Sequence, residues 1–225
     1  MTNQILASLP ASDRDQLLSD ADHLTLPAGH SIGREGEPVE AVFFPERGMI
    51  CSITELTTGH HVGVAAFGAN GGVGFGPVLG LSRYSAWVVV YVEVTGYRVP
   101  IATFKRVFDQ SEPLRRATLF HVGRLLTEIA RAGACHRVHS HQQRLARWLL
   151  TTADRTGETE ITLTHEALAR LVGGPRHAVT MGLRDLSARG AITLLRGRVG
   201  IVDRALLAES ACECYSHIVE ETTTD

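Results

Sequence analysis

Between residues 23 and 100 the apolar positions come in short runs, HLTLPAGHSI, AVFFPERGMICSITEL, HHVGVAAFG, SAWVVVYVEV and GYRVP, broken by glycine, proline and charged turns. Runs of this length, rich in β-branched and aromatic residues, predict strands, and their succession predicts a β-sandwich, roll or barrel. The glycines at 68, 71, 72, 74 and 76 predict a loop within that region, with several positions able to take a positive φ or a close backbone approach.

After Pro100 the period changes from two to about 3.6. Residues 101 to 109 predict one short helix, and Ser111, Glu112 and Pro113 open another: a capping hydroxyl, an acid suited to the first turn and a proline tolerated there. That second helix runs from Leu114 to about Val138. Leu114, Leu119, Val122, Leu125, Leu126, Ile129 and Ala132 fall on or near one stripe, with Arg115, Arg116, Arg124, Glu128 and Arg131 mostly off it. At about 1.5 Å per residue such a helix outruns one domain, and long two-faced helices pair with a copy of themselves, so a homodimer is expected. The segment HSHQQRLARWLLTTADRTG predicts a further amphipathic helix, with Leu145, Trp148, Leu149 and Leu150 inward and Gly157 as its stop, followed by a short strand over 160–163.

The segment THEALARLVGGPRHAVTMGLRDLSAR, residues 164 to 189, carries the clearest punctuation. Thr164 caps a helix through Leu168 and Leu171, Gly173 suits a left-handed stop, and Pro175 restarts a helix at its first position. Two helices joined by so tight a turn form a helix-turn-helix. In the second helix Val179, Leu183 and Leu186 face inward, which turns His177, Thr180, Met181 and Arg184 outward, with Arg176 at the N-terminal end. Arginine matches guanine O6 and N7 bidentately, and threonine or methionine can lie against a thymine methyl. The following AITLLRGRVGIVD predicts a hairpin whose Arg196 and Arg198 would meet phosphates, the wing of a winged helix.

Charge changes the picture in the same direction. The net charge is only −2, but residues 1–136 carry 11 basic and 13 acidic side chains, residues 137–208 carry 11 and 6, and residues 209–225 have five acids and no Lys or Arg. A basic segment between acidic ones fits a duplex-binding module. Lys105 is the only lysine, so arginine is the default cation here. No apolar run approaches the roughly 20 residues of a membrane span, and residues 1–10 lack the pattern of a secretory signal, so a cytoplasmic protein without a membrane partner is expected.

Four cysteines, Cys51, Cys135, Cys212 and Cys214, are too few for a disulfide framework and include no Cys-x-x-Cys pair. Cys212 and Cys214 are the one close pair, and metal or redox duty there is weakly signalled. No metal ligand and no cofactor is assigned. Among 11 histidines, His60 and His61 lack the His-x-His, carboxylate and third histidine of a cupin-like metal enzyme, so no enzyme is expected. His136, His139 and His141 mark the junction after the long helix, either as polar hinge residues or as a pH- or haem-responsive switch. A regulatory module without DNA contact is the remaining alternative, and the basic C-terminal segment argues against it.

These motifs resemble the family of the cyclic-AMP receptor protein and the fumarate-nitrate regulator (Crp/Fnr). LPAGHSIGREGEPVEAVFFPERGMI is similar to the family's opening β-roll segment, with Gly29, Ile32, Gly36, Glu37, Phe44 and Gly48 in place; LTHEALARLVGGPRHAVTMGLRDLSARGAI resembles its recognition motif, and CECY resembles a less-characterised branch. The resemblance implies an α+β chain: a β-roll resembling a cyclic-nucleotide-binding jelly roll over 1–109, a long dimerisation helix over 110–137 and a winged helix-turn-helix over 138–225. It further implies a double-stranded DNA operator, RNA polymerase and an unidentified small-molecule effector as partners.

The departures bear on the effector. Cyclic-AMP-binding members hold ribose and phosphate with Phe-Gly-Glu-Leu and Arg-Ser/Thr-Ala, whereas this chain has Phe75, Gly76, Pro77, Val78 and then Tyr84, Ser85, Ala86, with Arg83 one place early. Without that arginine a phosphate loses a charge-assisted bidentate contact, so cyclic AMP is not expected to bind in the usual way. Gly74, Phe75, Gly76, Arg83, Tyr84 and Ser85 are the candidate effector residues. In the recognition helix Arg176, His177 and Met181 stand against the family's Arg-Glu-x-x-x-Arg, which implies a different operator. The oxygen-sensing branch uses an N-terminal cysteine cluster, and here the first cysteine is Cys51.

Overall fold

The computed structural model describes residues 2–216, so Glu220, Glu221 and Asp225 of the acidic tail lie outside the described residues. The chain divides into two compact units, residues 1–52 with 67–126, and residues 53–66 with those from 127 onward. Among the described residues no helix is long and apolar enough to cross a membrane.

The first unit opens with two helices absent from the sequence-based expectation, α1 (Gln4–Ala7) and α2 (Ala11–Leu18). Asn3 explains the first: its buried Oδ1 accepts the N–H groups of Ile5 (3.1 Å) and Leu6 (3.3 Å), while its Nδ2 donates to the carbonyls of Pro45 (2.8 Å) and Gly71 (2.7 Å). One amide thereby caps a helix and ties it to the sheet.

The sheet is built from β1 (Asp22–Leu26), β2 (Ser31–Gly33), β3 (Ala41–Glu55), β4 (His61–Phe67) and β5 (Trp87–Pro100), ordered β1-β5-β3-β4 with β2 also on β5. β1 and β5 are antiparallel, Asp22 opposite Arg98 and Leu26 opposite Val94. β3 buries Val42, Phe43 and Phe44 in succession, which means that both of its faces are covered there. Phe44, Phe75 and Phe104 form the aromatic centre of the core, with Phe75 centroids 5.8 Å from Phe44 and 5.5 Å from Phe104.

α3 (Ile101–Gln110) and α4 (Glu112–Val138) follow as the change of period predicts. Ser111 caps α4 by accepting the Leu114 N–H (3.1 Å), and its hydroxyl also donates to Asp13. The expected single stripe on α4 is in fact two faces. Leu114, Thr118, Ala132 and Cys135 are buried within the chain, whereas Leu119, Phe120, Leu126 and Ile129 are exposed, Leu126 at 64%.

In the second unit α5 (His141–Thr156) starts with a reciprocal capping box, Gln143 N–H to Ser140 Oγ (3.3 Å) and Ser140 N–H to Gln143 Oε1 (3.0 Å), and ends at Gly157 in the left-handed region (φ 74°). Then come β6 (Glu160–Ile161), α6 (His165–Val172), α7 (Arg176–Ala188), β7 (Ile192–Leu195), β8 (Arg198–Ile201) and α8 (Arg204–Glu209), the strands forming a sheet ordered β6-β8-β7. The far end of the β3–β4 hairpin belongs to this unit: a methyl group on Gly63 would stand 3.0 Å from Leu171, and the Ala66 N–H donates to Glu128 (3.3 Å), which is paired with Arg155 (3.5 Å).

Gly48 marks the tightest crossing in the first unit. Its φ is +81°, and a Cβ there would lie 1.9 Å from the Glu93 carbonyl oxygen. Gly48→Ala is expected to destabilise the protein by about 2–5 kcal/mol, the sum of left-handed strain and overpacking. Urea denaturation measures this, and an unchanged midpoint would contradict the close approach of β3 and β5.

Candidate nucleic-acid interface

Local chemistry sets the helix-turn-helix. Thr164 Oγ1 accepts the Ala167 N–H (3.0 Å) at the start of α6. Gly173 ends that helix at φ 63°, and the N–H groups of Gly173 and Gly174 both point to the Ala169 carbonyl. Pro175 proves to be the cap of α7 rather than its first residue, with its carbonyl accepting the Ala178 N–H at 3.0 Å. The shift by one place leaves Arg176 as the first helical residue.

Val179, Leu183 and Leu186 are at most 1% exposed and fix the rotation of α7 against α5 and α6. Arg176, His177, Met181 and Arg184 are consequently exposed, Met181 at 62%. Thr180 is only half-exposed: its hydroxyl meets His165 Nδ1 at 2.9 Å and donates to the Arg176 carbonyl at 3.1 Å. That hydroxyl is tied to the α6–α7 pair, so the outward contribution of Thr180 is its methyl group. β7 and β8 form the hairpin, Leu195 opposite Arg198, with Arg196 and Gly197 as a two-residue loop. Arg196 is exposed at its tip, whereas Arg198 lies on β8, 3.6 Å from Glu160. Leu195, 50% exposed beside that tip, carries no signal of its own in the sequence.

A buried arginine holds this arrangement from behind. Arg144, 4% exposed, donates Nε to the Val172 carbonyl (2.9 Å) at the end of α6, and Nη1 to the carbonyls of His139 and His136 at the end of α4. These are terminal carbonyls without intrahelical partners, and a cation is the donor that a helix C-terminus favours. Burial pushes the His136 imidazole below its ordinary value, partly offset by the Gly63 carbonyl 3.3 Å away. Burial likewise lowers His141, whose ring lies where a Cβ on Gly174 would be. Both shifts favour the neutral imidazole beside the turn.

Comparison with known proteins bears on the whole arrangement. Residues 23–111 match the cyclic nucleotide-binding domain model and residues 143–210 match the Crp-like helix-turn-helix domain model, together well over half of the chain. The chain belongs to the Crp/Fnr family of transcription regulators. Among solved structures it is similar to the c-di-GMP-responsive global regulator CLP of Xanthomonas campestris (17% identity, 85% of this chain and 99% of that one, TM-score 0.70). It is similar also to FixK2 of Bradyrhizobium japonicum (14%, 85% and 98%, TM-score 0.72) and to a CRP-family transcriptional regulator of Thermus thermophilus (20%, 85% and 99%, TM-score 0.70). No curated protein matches the sequence at a significant level. At these identities the structural likeness concerns the fold: an N-terminal sheet domain, a long helix and a C-terminal helix-turn-helix.

Within the Crp/Fnr sensor domain the six candidate effector residues have divergent surroundings. Phe75 is committed to the core, edge-on to His121 at 5.4 Å as well as to Phe44. Gly74, at φ +96°, passes within 2.3 Å, measured from an ideal Cβ, of the Ala41 carbonyl oxygen, and Gly76 begins a short 3-10 turn through Pro77 and Val78. Arg83 bridges to Pro38, is exposed and donates to the Gly36 carbonyl. Tyr84 lays its half-buried ring on Gly33, where a Cβ would come within 2.1 Å of it, and Ser85 is exposed. The position of the family's phosphate-binding arginine thus holds an aromatic ring packed on backbone.

Arg144→Met removes three donors from carbonyls at two helix ends. It is expected to destabilise the protein by about 2–4 kcal/mol. Thermal denaturation measures this, and a melting temperature equal to that of the unaltered chain would contradict the role assigned to Arg144.

Proposed function

We propose that this Crp/Fnr regulator binds a near-palindromic DNA operator as a homodimer, with α7 of each copy in a major groove. The observation that carries the reading is the division of α7 into a buried ridge, Val179, Leu183 and Leu186, and an exposed face bearing Arg176, His177, Met181 and Arg184. Arg176 at the N-terminal end reads a guanine, His177 donates to a base or phosphate, and the methyl groups of Thr180 and Met181 meet thymine. Arg184, Arg196 and Arg198 contact phosphates, and Arg198 exchanges Glu160 for phosphate on binding.

Leu119 and Leu126, two turns apart on one line of α4 with Ile129 at its edge, are large, apolar and exposed, which supports pairing of this strip with the same strip of a second copy. A twofold dimer sets recognition helices about 34–36 Å apart, one turn of duplex. RNA polymerase is the partner that follows from a transcription regulator, the cytoplasm is its place of action, and no catalytic step enters. In the sensor domain Pro77 and Tyr84 replace the charged groups that hold a cyclic nucleotide, which supports an effector other than cyclic AMP.

The test uses a duplex from the protein's own upstream region and fluorescence anisotropy. Arg176→Ala is expected to weaken specific binding by about 1–3 kcal/mol and to relax preference at one base pair of each half-site, whereas Arg196→Ala weakens all sequences alike and lowers the slope of log K against log salt by about 1. Equal losses on specific and random duplexes for Arg176→Ala would refute base reading. Leu126→Glu places a charge in the proposed seam and is expected to weaken the dimer by more than about 100-fold in sedimentation equilibrium; an unchanged constant removes α4 from the interface. Saturating cyclic AMP is expected to leave the melting temperature unchanged, and a rise would show a nucleotide site of the usual kind.

A further inference from the structure

Four side chains unused by DNA reading converge at the end of α4. Cys135 lies in its last turn, and His139 follows one turn later with its N–H on the Cys135 carbonyl (3.0 Å), so both side chains leave the same face. Cys212 and Cys214 come from the segment after α8. One ligand atom from each of the four lies within 4.8 Å of all the others. Cys135 Sγ is 3.6 Å from Cys212 Sγ, and Cys214 Sγ is 3.7 Å from His139 Nδ1. A tetrahedral zinc ion, with Zn–S of about 2.3 Å and Zn–N of about 2.0 Å, has S···S edges of about 3.8 Å and S···N edges of about 3.5 Å. The two short separations match edges of such a tetrahedron, and the remaining ones, at most 4.8 Å, need the side chains to draw in by about 1 Å. An iron–sulfur cluster would need its thiolates spread around a multi-atom core, not converging on a point.

The surroundings supply a second, independent observation. His139 Nε2, the nitrogen turned away from the thiols, meets Glu213 Oε2 at 3.0 Å, the outer carboxylate that orients a metal-bound imidazole. Arg147 lies close enough to act electrostatically on all three thiols; it is 4% exposed, and its Nε and Nη2 have no hydrogen-bond acceptor among the described residues. The guanidinium lies over the Trp148 ring at 4.9 Å, but a buried cation with two unpartnered N–H groups remains costly unless a negative charge stands beside it. A divalent ion held by three thiolates and a neutral imidazole carries one net negative charge, which Arg147 balances. The carboxyl side of the site is anchored as well, because Tyr215 donates to Asp154 of α5 (2.8 Å) and Arg204 pairs with the same carboxylate.

We propose that Cys135, His139, Cys212 and Cys214 bind one thiophilic divalent cation, zinc by ligand type, in a closed four-coordinate site. On binding, the three thiols release their protons to solvent, four ligand–metal bonds form, and no electron is transferred. The ion would fasten the segment after α8 to the end of α4, beside the His139 carbonyl that Arg144 grips. This assignment stands independently of the DNA-binding reading.

The full chain, purified under reducing conditions without chelator, is expected to contain one zinc per chain by elemental analysis. Replacing zinc with cobalt(II) should give the intense visible bands of a tetrahedral ion and a near-ultraviolet thiolate-to-cobalt band. Cys214→Ser, at a half-buried position, should keep the fold, lose about a third of the charge-transfer intensity and bind cobalt at least about 10-fold more weakly; Glu213→Gln should keep the spectrum with an affinity about 10-fold lower. Weak octahedral bands, a spectrum unchanged in Cys214→Ser, or a Cys135–Cys212 disulfide that blocks cobalt uptake would each overturn the assignment.

Discussion

The left-handed turn at Gly173, with the apolar ridge that follows it, is the constraint on which the DNA-facing surface depends. At φ 63° the chain leaves α6 and re-enters helix within three residues, which leaves α7 little choice of direction. Val179, Leu183 and Leu186 then fix its rotation, because a turn of the helix about its own axis would expose three fully buried side chains. The polar face of α7 is the complement of that packing.

Behind the turn the second unit is held by a polar device rather than an apolar one. Arg144 collects carbonyls from the ends of α4 and α6, the box of Ser140 and Gln143 begins α5 between them, and the end of the β3–β4 hairpin packs on α6 at Gly63. Desolvation of a buried guanidinium offsets part of what its hydrogen bonds contribute, but removing it leaves three helix-end carbonyls without a donor, so the device is costly to lose. α4 takes part in two kinds of packing along its length, its buried row inside the chain and its exposed row free for a second copy.

What the sequence made legible was local chemistry. The Thr164 cap, the Gly173 stop, the Gly157 stop and the Ser111 start are each decided by residues within one helical turn, and they stand where the pattern places them, Pro175 being displaced by one position. The strands of the first unit were legible for the same reason. Features that depend on distant partners were not. Asn3 caps α1 locally, but the bonds that bury it against the sheet reach 42 and 68 positions away, and the buried state of Arg144 rests on a carbonyl 28 positions away. Cys135 and Cys212 are separated by 77 positions, so only the i, i+4 spacing of Cys135 and His139, read together with the Cys212–Cys214 pair, could have suggested that they meet. The two faces of α4 were merged because apolar residues on both fall near one broad stripe.

The first unit keeps the sheet of the cyclic nucleotide-binding domain, with Phe75 packed in its core and Tyr84 on Gly33. The helix-turn-helix keeps the family's fold, and the outward face of α7 carries His177 and Met181 beside Arg176. The most direct measurement of the central claim is methylation interference on a bound duplex from the upstream region. The account predicts that methylating guanine N7 in the major groove blocks binding at two symmetric sites about one helical turn apart. Interference confined to the minor groove, or none at any guanine or adenine, would contradict it.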